Sequence, residues 1–375
     1  MKRTILYIVN VDWFFISHRL PLAVRMKELG HNVFILAKDS GKRQEIESYG
    51  IKFINIDFER SGKNPAKEIK VIINILRYFI KYKPHIVHNV TIKPALYSTI
   101  AWKIYGNKKI RIVNAISGLG YNFIGGRNGA VQRILKKLMN FTFEKEVSFI
   151  FQNPDDLNVY RELGYLHNNK FKLIKGAGVD SGQFLFSKPV IKDKLHVVLT
   201  ARMLKDKGIM EFIYAAKILE EAWRGRVLFR LVGDLDSHNP AGILESELIA
   251  SLVDDYIIWE GYQSDIQSIL IESDIVCLPS YREGLPKSLI EAMAVGRPIV
   301  TTDVPGCREC VEDNFNGFLV AAKDSEALAD KIEVLLNNEQ LRLRMGANSR
   351  SKMVNELSLD KVLKDTCEFY DEILV

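Results

Sequence analysis

Short apolar runs and amphipathic stretches alternate along this chain almost without a break, in two successive series. The first reads ILYIVN, PLAVRMKELG, NVFILA, a polar helix and IKFINI, then a helix of about eighteen residues from near Pro65 to Tyr82. It continues with HIVH, the helix KPALYSTIAWKIYG, IRIVNAIS, a second basic helix, VSFIFQN and FKLIKGAGVD. After a Lys/Asp-rich joint, SKPVIKDK, the second series runs from LHVVLTARM through VLFRLVGD, YIIWEG, IVCLPS and RPIVTTD to FNGFLV, with helical patterns between. Brief apolar runs separated by helices predict parallel strands with crossover helices. The expected fold class is therefore α/β, with two doubly wound Rossmann-like domains at 1–180 and 181–357. A terminal helix at 358–375 is expected to cross back to the first. Open α/β sheets bind ligands beyond the carboxyl ends of their strands, so a tandem pair predicts a cleft between the two sets of ends.

Length agrees, since 375 residues exceed one ordinary core. The N-terminal MKRTILYIVNVDWF has a basic start, but its apolar run is short, no small-residue cleavage site follows, and it leads into a helix. It is expected to be the first strand rather than a signal peptide. No stretch approaches the roughly eighteen apolar residues of a membrane span, and a cytoplasmic body is expected. Of four cysteines only Cys307 and Cys310 have a C-x-x-C spacing. Neither a second pair nor nearby histidines accompany them, so two reduced cysteines near a turn are expected rather than zinc.

Charge is distributed unevenly. Residues 1–180 hold 30 Lys and Arg against 14 Asp and Glu, and the remainder 22 against 32. No acidic residue lies between Glu68 and Glu144. KEIKVIINILRYFIKYK and QRILKKLMNFTFEK each combine an apolar stripe with a basic face, which suits an anionic membrane surface.

The chemistry concentrates in PSYREGLPKSLIEAMAVGRPIV. A strand expected to end at Ser280 is followed by a loop with Glu283 and Gly284 and a helix starting at Pro286, where a missing N–H costs nothing. A helix N-terminus offers backbone donors and a positive dipole end to a diphosphate. Gly284, Leu285, Lys287 and Ser288 are the candidate donors. Glu283 and Glu291 are carboxylates suited to vicinal sugar hydroxyls. Any one of these residues alone also suits a solvated surface or a helix salt bridge. SGLGYNFIGG lacks the third glycine of a dinucleotide site and follows the fifth strand, so no NAD site is expected. The DLD triplet at Asp234 to Asp236 resembles a metal-binding motif of another fold, but it sits in a strand-end turn, and no metal is expected.

The Glu283-x7-Glu291 spacing resembles that of the retaining glycosyltransferases of family 4, which have the GT-B fold. The resemblance implies that Glu283 touches the donor sugar and Glu291 the ribose. In ARMLKDKG it implies that Arg202 and Lys207 clamp the donor diphosphate, stabilising charge on the leaving phosphate. VGD at Val232 to Asp234, with Gly233, and EGY at Glu260 to Tyr262 correspond to turns lining the base. Arg202, Lys207 and Glu283 are thus the expected catalytic residues, with a UDP-sugar as co-substrate and no cofactor. The chain departs from the commoner family pattern after the first strand, where NVDWFFISHRLP replaces a Gly-Gly loop. It departs again after the fifth, where Ser117, followed by Gly118 to Gly120, replaces a histidine. These features, with TIKP around Lys93, resemble the subgroup acting on polyprenyl-diphosphate-linked saccharides in bacterial O-antigen, capsule or protein-glycan assembly. His18, Arg19, Lys93, Ser117, Gly118 and Gly120 are the acceptor candidates, and peripheral attachment to the inner face of the plasma membrane is expected. Competing readings are a nucleotide-sugar epimerase or a phosphorylase of the same fold, and a catalytically idle membrane-attached scaffold. A nucleic-acid binder ranks last for want of a reading motif.

Overall fold

The computed structural model describes residues 2–58, 65–118, 137–143, 145–166, 168–189, 192–237 and 239–375. The chain forms two compact units, Met1–Ala177 with Val362–Val375, and Gly178–Lys361. These divisions fall a few residues from the 180 and 358 expected above.

The first unit holds β1 (Thr4–Val11), β2 (Asn32–Lys38), β3 (Lys52–Asn55), β4 (Ile86–Val90), β5 (Arg111–Ile116), β6 (Val147–Phe151) and β7 (Phe171–Leu173). They pair in parallel in the order β3-β2-β1-β4-β5-β6-β7. Both faces are covered, which is why the strands read as nearly unbroken apolar runs. On one face Leu6, Ile8, Val87 and Ile112 pack with Val71, Ile75 and Phe79 of the Pro65–Tyr82 helix and Trp102 of the Ile92–Tyr105 helix. On the other, Ile5, Tyr7, Val9 and Ile35 meet the Leu20–Glu28 helix and Phe369, Tyr370 and Ile373 of the Leu359–Leu374 helix.

The segment after β1 turns at once into a helix, Asp12–His18, and Asp12 ties it to the end of β2. Its buried carboxylate accepts from the backbone N–H groups of Trp13 (2.7 Å), Ser40 (2.7 Å) and Lys42 (3.0 Å) and from the Ser40 hydroxyl. Burial alone would raise the Asp12 carboxyl, but these donors outweigh it and hold it below the usual range. A lowered folded pKa contributes stability above the unfolded value of about 4 and loses it as pH falls through the folded value. Asp12→Ala should therefore melt below wild type at pH 7, and the gap should close at more acidic pH. A gap independent of pH would show that the carboxylate's charge is irrelevant.

The second unit holds β8 (Leu195–Thr200), β9 (Val227–Val232), β10 (Ile257–Trp259), β11 (Ile275–Leu278), β12 (Ile299–Thr302) and β13 (Gly317–Val320). Their order, β10-β9-β8-β11-β12-β13, repeats the first sheet's winding. The strand expected to reach Ser280 stops at Leu278, because Pro279 has no N–H for the ladder. Cys307 and Cys310 lie on one short helical turn, both buried, and all four cysteines are free.

Candidate functional site

In the second sheet the winding reverses between β8 and β11, the place where open α/β sheets receive ligands. The loop after β8 carries Arg202 and Lys207, and the loop after β11 carries Ser280 to Glu283. Gly208, at φ +73°, lets them meet. A Cβ there would stand 2.1 Å from the Pro279 carbonyl oxygen, a separation no side chain tolerates. Lys207 Nζ consequently reaches Glu283 Oε1 at 2.5 Å, and Ser280 Oγ donates to the same oxygen at 2.7 Å. Tyr281 binds the loops from a second side, its N–H donating to Asp206 O (2.9 Å) and its hydroxyl to Glu211 (2.6 Å). Ser280, Tyr281 and Glu211 carried no sequence signal, because nothing in their spacing shows that these loops touch.

Arg202 pairs with Asp236 at 2.5 Å, so this member of the DLD triplet serves the guanidinium, while Asp234 accepts from the N–H of Leu235 in its own turn. Gly233, at the end of β9, packs so tightly that a Cβ would lie 1.8 Å from Ala201 O. Its N–H donates to Gly261 O at 2.8 Å, which brings the VGD and EGY turns together. Tyr262 is 73% exposed and Glu260 is clasped by Arg230 through two hydrogen bonds. Of the EGY turn, Tyr262 is thus open to a base and Glu260 is engaged.

The helix expected to start at Pro286 is Lys287–Ala294, with Pro286 as its N-cap. Pro286 is extended (ψ 111°), and its carbonyl accepts from Leu289 and Ile290. The first helical N–H groups, on Lys287 and Ser288, have no partner within the helix and follow directly on Gly284 and Leu285. Glu291 lies one turn on, 3.3 Å from Lys287 Nζ. Burial pushes its carboxyl up and the neighbouring ammonium opposes that. Arg202, Lys207, Glu283 and the head of this helix thus belong to one end of one sheet, cations and N–H donors beside carboxylates, an arrangement able to hold a diphosphate and its sugars.

The acceptor candidates separate. His18 stacks on Phe14 with ring centroids 4.1 Å apart and has its Nδ1 2.5 Å from Ser17 Oγ. Arg19 is only 5% exposed, donates to His18 O at 2.8 Å and lies among Tyr7 and Tyr370, which turns it into the fold rather than toward a surface ligand. Lys93 pairs with Glu68 at 2.8 Å and lies over the Tyr97 ring. Ser117 and Gly118 follow β5, Gly118 at φ +111°. Gly120 and most of the second basic helix lie outside the described residues.

Residues 4–153 match the family described as Glycosyl transferase 4-like, and residues 182–352 match Glycosyl transferases group 1. The chain is 30% identical over 352 residues to the Campylobacter jejuni N,N'-diacetylbacillosaminyl-diphospho-undecaprenol alpha-1,3-N-acetylgalactosaminyltransferase, covering 88% of this chain and 89% of that protein. It is 25% identical over 360 residues to an Escherichia coli UDP-Gal:alpha-D-GlcNAc-diphosphoundecaprenol alpha-1,3-galactosyltransferase, covering 92% and 90%. Among solved structures, Anabaena HepE in complex with UDP and glucose superposes with a TM-score of 0.80 at 16% identity, covering 98% of this chain and 99% of that one, a likeness of fold. With both halves matched and one relative this similar over nearly its whole length, the chain belongs to the group 1 glycosyl transferases and is a GT-B glycosyltransferase.

Proposed function

We propose that this glycosyltransferase moves a hexose or N-acetylhexosamine from a UDP-sugar to a saccharide carried on polyprenyl diphosphate, with retention of configuration and without a metal, in bacterial cell-surface glycan synthesis. The observation that carries the donor half is the Lys207–Glu283–Ser280 cluster beside the Lys287–Ala294 helix at the β8/β11 switch point. Lys207 and Arg202 exchange their carboxylate partners for the diphosphate and, with the helix head, stabilise charge as it leaves. The departing phosphate oxygen takes the acceptor's proton on the same face, so no protein nucleophile is required. Glu283 holds the donor sugar and Glu291 the ribose.

The acceptor half is supported by relatives whose names specify diphosphoundecaprenol-linked substrates. It is supported also by a surface suited to lipid. The Pro65–Tyr82 helix leaves Ile69, Ile73 and Ile80 exposed at helical spacing among exposed Lys67, Lys70, Arg77 and Lys81. Isoleucines among cations suit the anionic inner face of a plasma membrane. Among the described residues no helix is long and apolar enough to cross a membrane.

A panel of UDP-sugars, each with and without short-prenyl-diphosphate monosaccharides, tests the reading by UDP release and product anomeric configuration. One donor should release UDP in an acceptor-dependent manner and give a retained linkage. Donor turnover without acceptor would favour an epimerase, a need for inorganic phosphate a phosphorylase, and no turnover of any donor a scaffold. An inverted product would overturn the front-side route.

A further inference from the structure

The loop after β11 carries Glu283 and the loop after β8 carries Lys207, so the placing of that pair depends on how firmly the two loops are joined. Tyr281 joins them at both of its ends. Its N–H donates to Asp206 O at 2.9 Å and its hydroxyl to Glu211 Oε1 at 2.6 Å. Asp206 and Glu211 stand on either side of Lys207 in the chain, so the tyrosine grips the turn before and after the residue that bears the ammonium. A third loop closes over it, since Lys323 Nζ, in the segment after β13, lies 4.8 Å from the centre of the Tyr281 ring. The end of β12 and the loop that follows hold its neighbours: Thr302 Oγ1 donates to Ser280 O, and Glu283 N–H donates to Pro305 O at 3.1 Å. On that side a Cβ on Gly306 would stand 2.6 Å from Glu283 O, so the two backbones pack without room for a side chain.

Glu211 is committed to this contact. It is the third residue of the Ile209–Ile218 helix, the place from which a Glu side chain commonly turns back to cap the helix start. Here the helix starts from Gly208 with no side-chain cap, and the Glu211 carboxylate turns to Tyr281. Its second oxygen, Oε2, is buried with no hydrogen-bond partner. The helix dipole accounts for a carboxylate in a first turn, but a solvated one would serve as well, and burying an acceptor without a partner is unfavourable. Burial, with Glu211 beside it, holds the phenol well above its ordinary range, so the hydroxyl keeps its proton and remains a donor. A hydroxyl on a carboxylate makes a short, directional bond suited to fixing a distance.

We propose that Tyr281, held by Glu211, is a positioning residue for the transfer reaction: it sets where Lys207 stands relative to Glu283 and so to the leaving diphosphate, an inference that rests on the donor reading above. Tyr281 need not touch substrate to do this. Its effect passes through Lys207, and a displacement of about 1 Å at such a group is enough to slow a reaction by as much as roughly a hundredfold.

The test uses the UDP-sugar and acceptor that support turnover in the panel above. Tyr281→Phe keeps the ring, the backbone bond and the contact with Lys323, and removes the bond to Glu211. It should lower kcat by roughly tenfold, with donor KM within about threefold and melting within about 4 °C of wild type. Glu211→Ala should match it, and the double variant should lose no more than either single one. Glu211→Gln retains an acceptor for the hydroxyl and should stay within about threefold of wild type. In a Lys207→Ala background Tyr281→Phe should cost less than about twofold, the mark of a residue acting through Lys207. A lower melting temperature with kcat unchanged would show the contact to be structural. A loss undiminished by Lys207→Ala, or additive in the double variant, would show that these side chains act elsewhere or apart. Each of these results overturns the inference and leaves the transferase reading standing. Should Tyr281→Phe fail to fold, Glu211→Ala carries the same comparison in both backgrounds. Lys207→Ala as active as wild type would instead remove the donor reading, and this inference with it.

Discussion

Lys207→Ala should lower kcat/KM for the donor by roughly 10²- to 10³-fold, the loss that follows removal of one preorganised group facing developing charge. The loss should fall mainly on kcat, because the ammonium matters most once the phosphate carries the leaving electrons. The fold should persist. The turn holding Lys207 is anchored by its own backbone, with Lys205 N–H bonded to Ala241 O at 2.8 Å and Lys207 N–H to Leu204 O at 3.0 Å. Glu283 keeps the Ser280 hydroxyl after the ammonium is gone. Lys207→Arg should not restore the rate, since a planar fork cannot occupy the place of a compact charge beside Glu283 and Ser280. Steady-state kinetics with the donor identified by the panel, alongside thermal melting, provide the check. A Lys207→Ala enzyme within threefold of wild type would remove Lys207 from the catalytic set.

Arg297→Met should be the most damaging substitution to stability in the second unit. Arg297 is fully buried, yet its guanidinium finds neutral oxygens in every direction. Its Nε donates to Leu270 O (2.9 Å), and its terminal nitrogens donate to Ile271 O (2.7 Å), Ser187 O (2.7 Å), Ser187 Oγ (2.8 Å) and Val295 O (3.1 Å). Leu270 and Ile271 end one helix, Ile266–Glu272, and Val295 directly follows Lys287–Ala294, so one cation satisfies carbonyls that a helix C-terminus leaves open. Arg350 adds a bond to Ala294 O at 2.7 Å. Methionine fills the volume but strands the carbonyls, a cost of about 3–5 kcal/mol by analogy with breaking a buried charged contact. The melting midpoint should fall by roughly 10 °C. Because the same helix has at its other end the N–H groups proposed to hold the donor, surviving protein should also bind donor more weakly. A shift under about 2 °C would show that water replaces the guanidinium without penalty.

The architecture was legible because parallel sheets covered on both faces leave the plainest pattern a sequence can carry: runs such as ILYIVN and LHVVLT, spaced by helices, with no polar alternation to confuse them. The Pro65–Tyr82 helix falls where its pattern placed it. The cations and carboxylates of the second half were legible for a related reason. Arg202 with Lys207, and Glu283 with Glu291, stood out by their resemblance to family motifs, and each pair lies within one strand-loop-helix unit, where spacing along the chain limits spacing in three dimensions.

Nothing comparable marks the groups that meet across loops. Ser280 and Glu211 join the Lys207 cluster only because the β8 and β11 loops converge, and Gly208 permits this by contact with Pro279, seventy-one residues away along the chain. Arg19 and Lys93 looked like free cations in a basic half. Folding buries the first beside Tyr7 and Tyr370 and gives the second a carboxylate at Glu68. Asn89 and Asn114 were hidden inside apolar strands, and their register alone makes them a pair. The sequence by itself therefore determined the two doubly wound sheets, since local periodicity encodes these directly, and its resemblance to a family singled out the residues proposed to face the donor. Which carboxylate each cation pairs with, which polar groups are left unsatisfied and how the loops close on one another were decided by tertiary structure, because burial and pairing depend on neighbours distant in the chain.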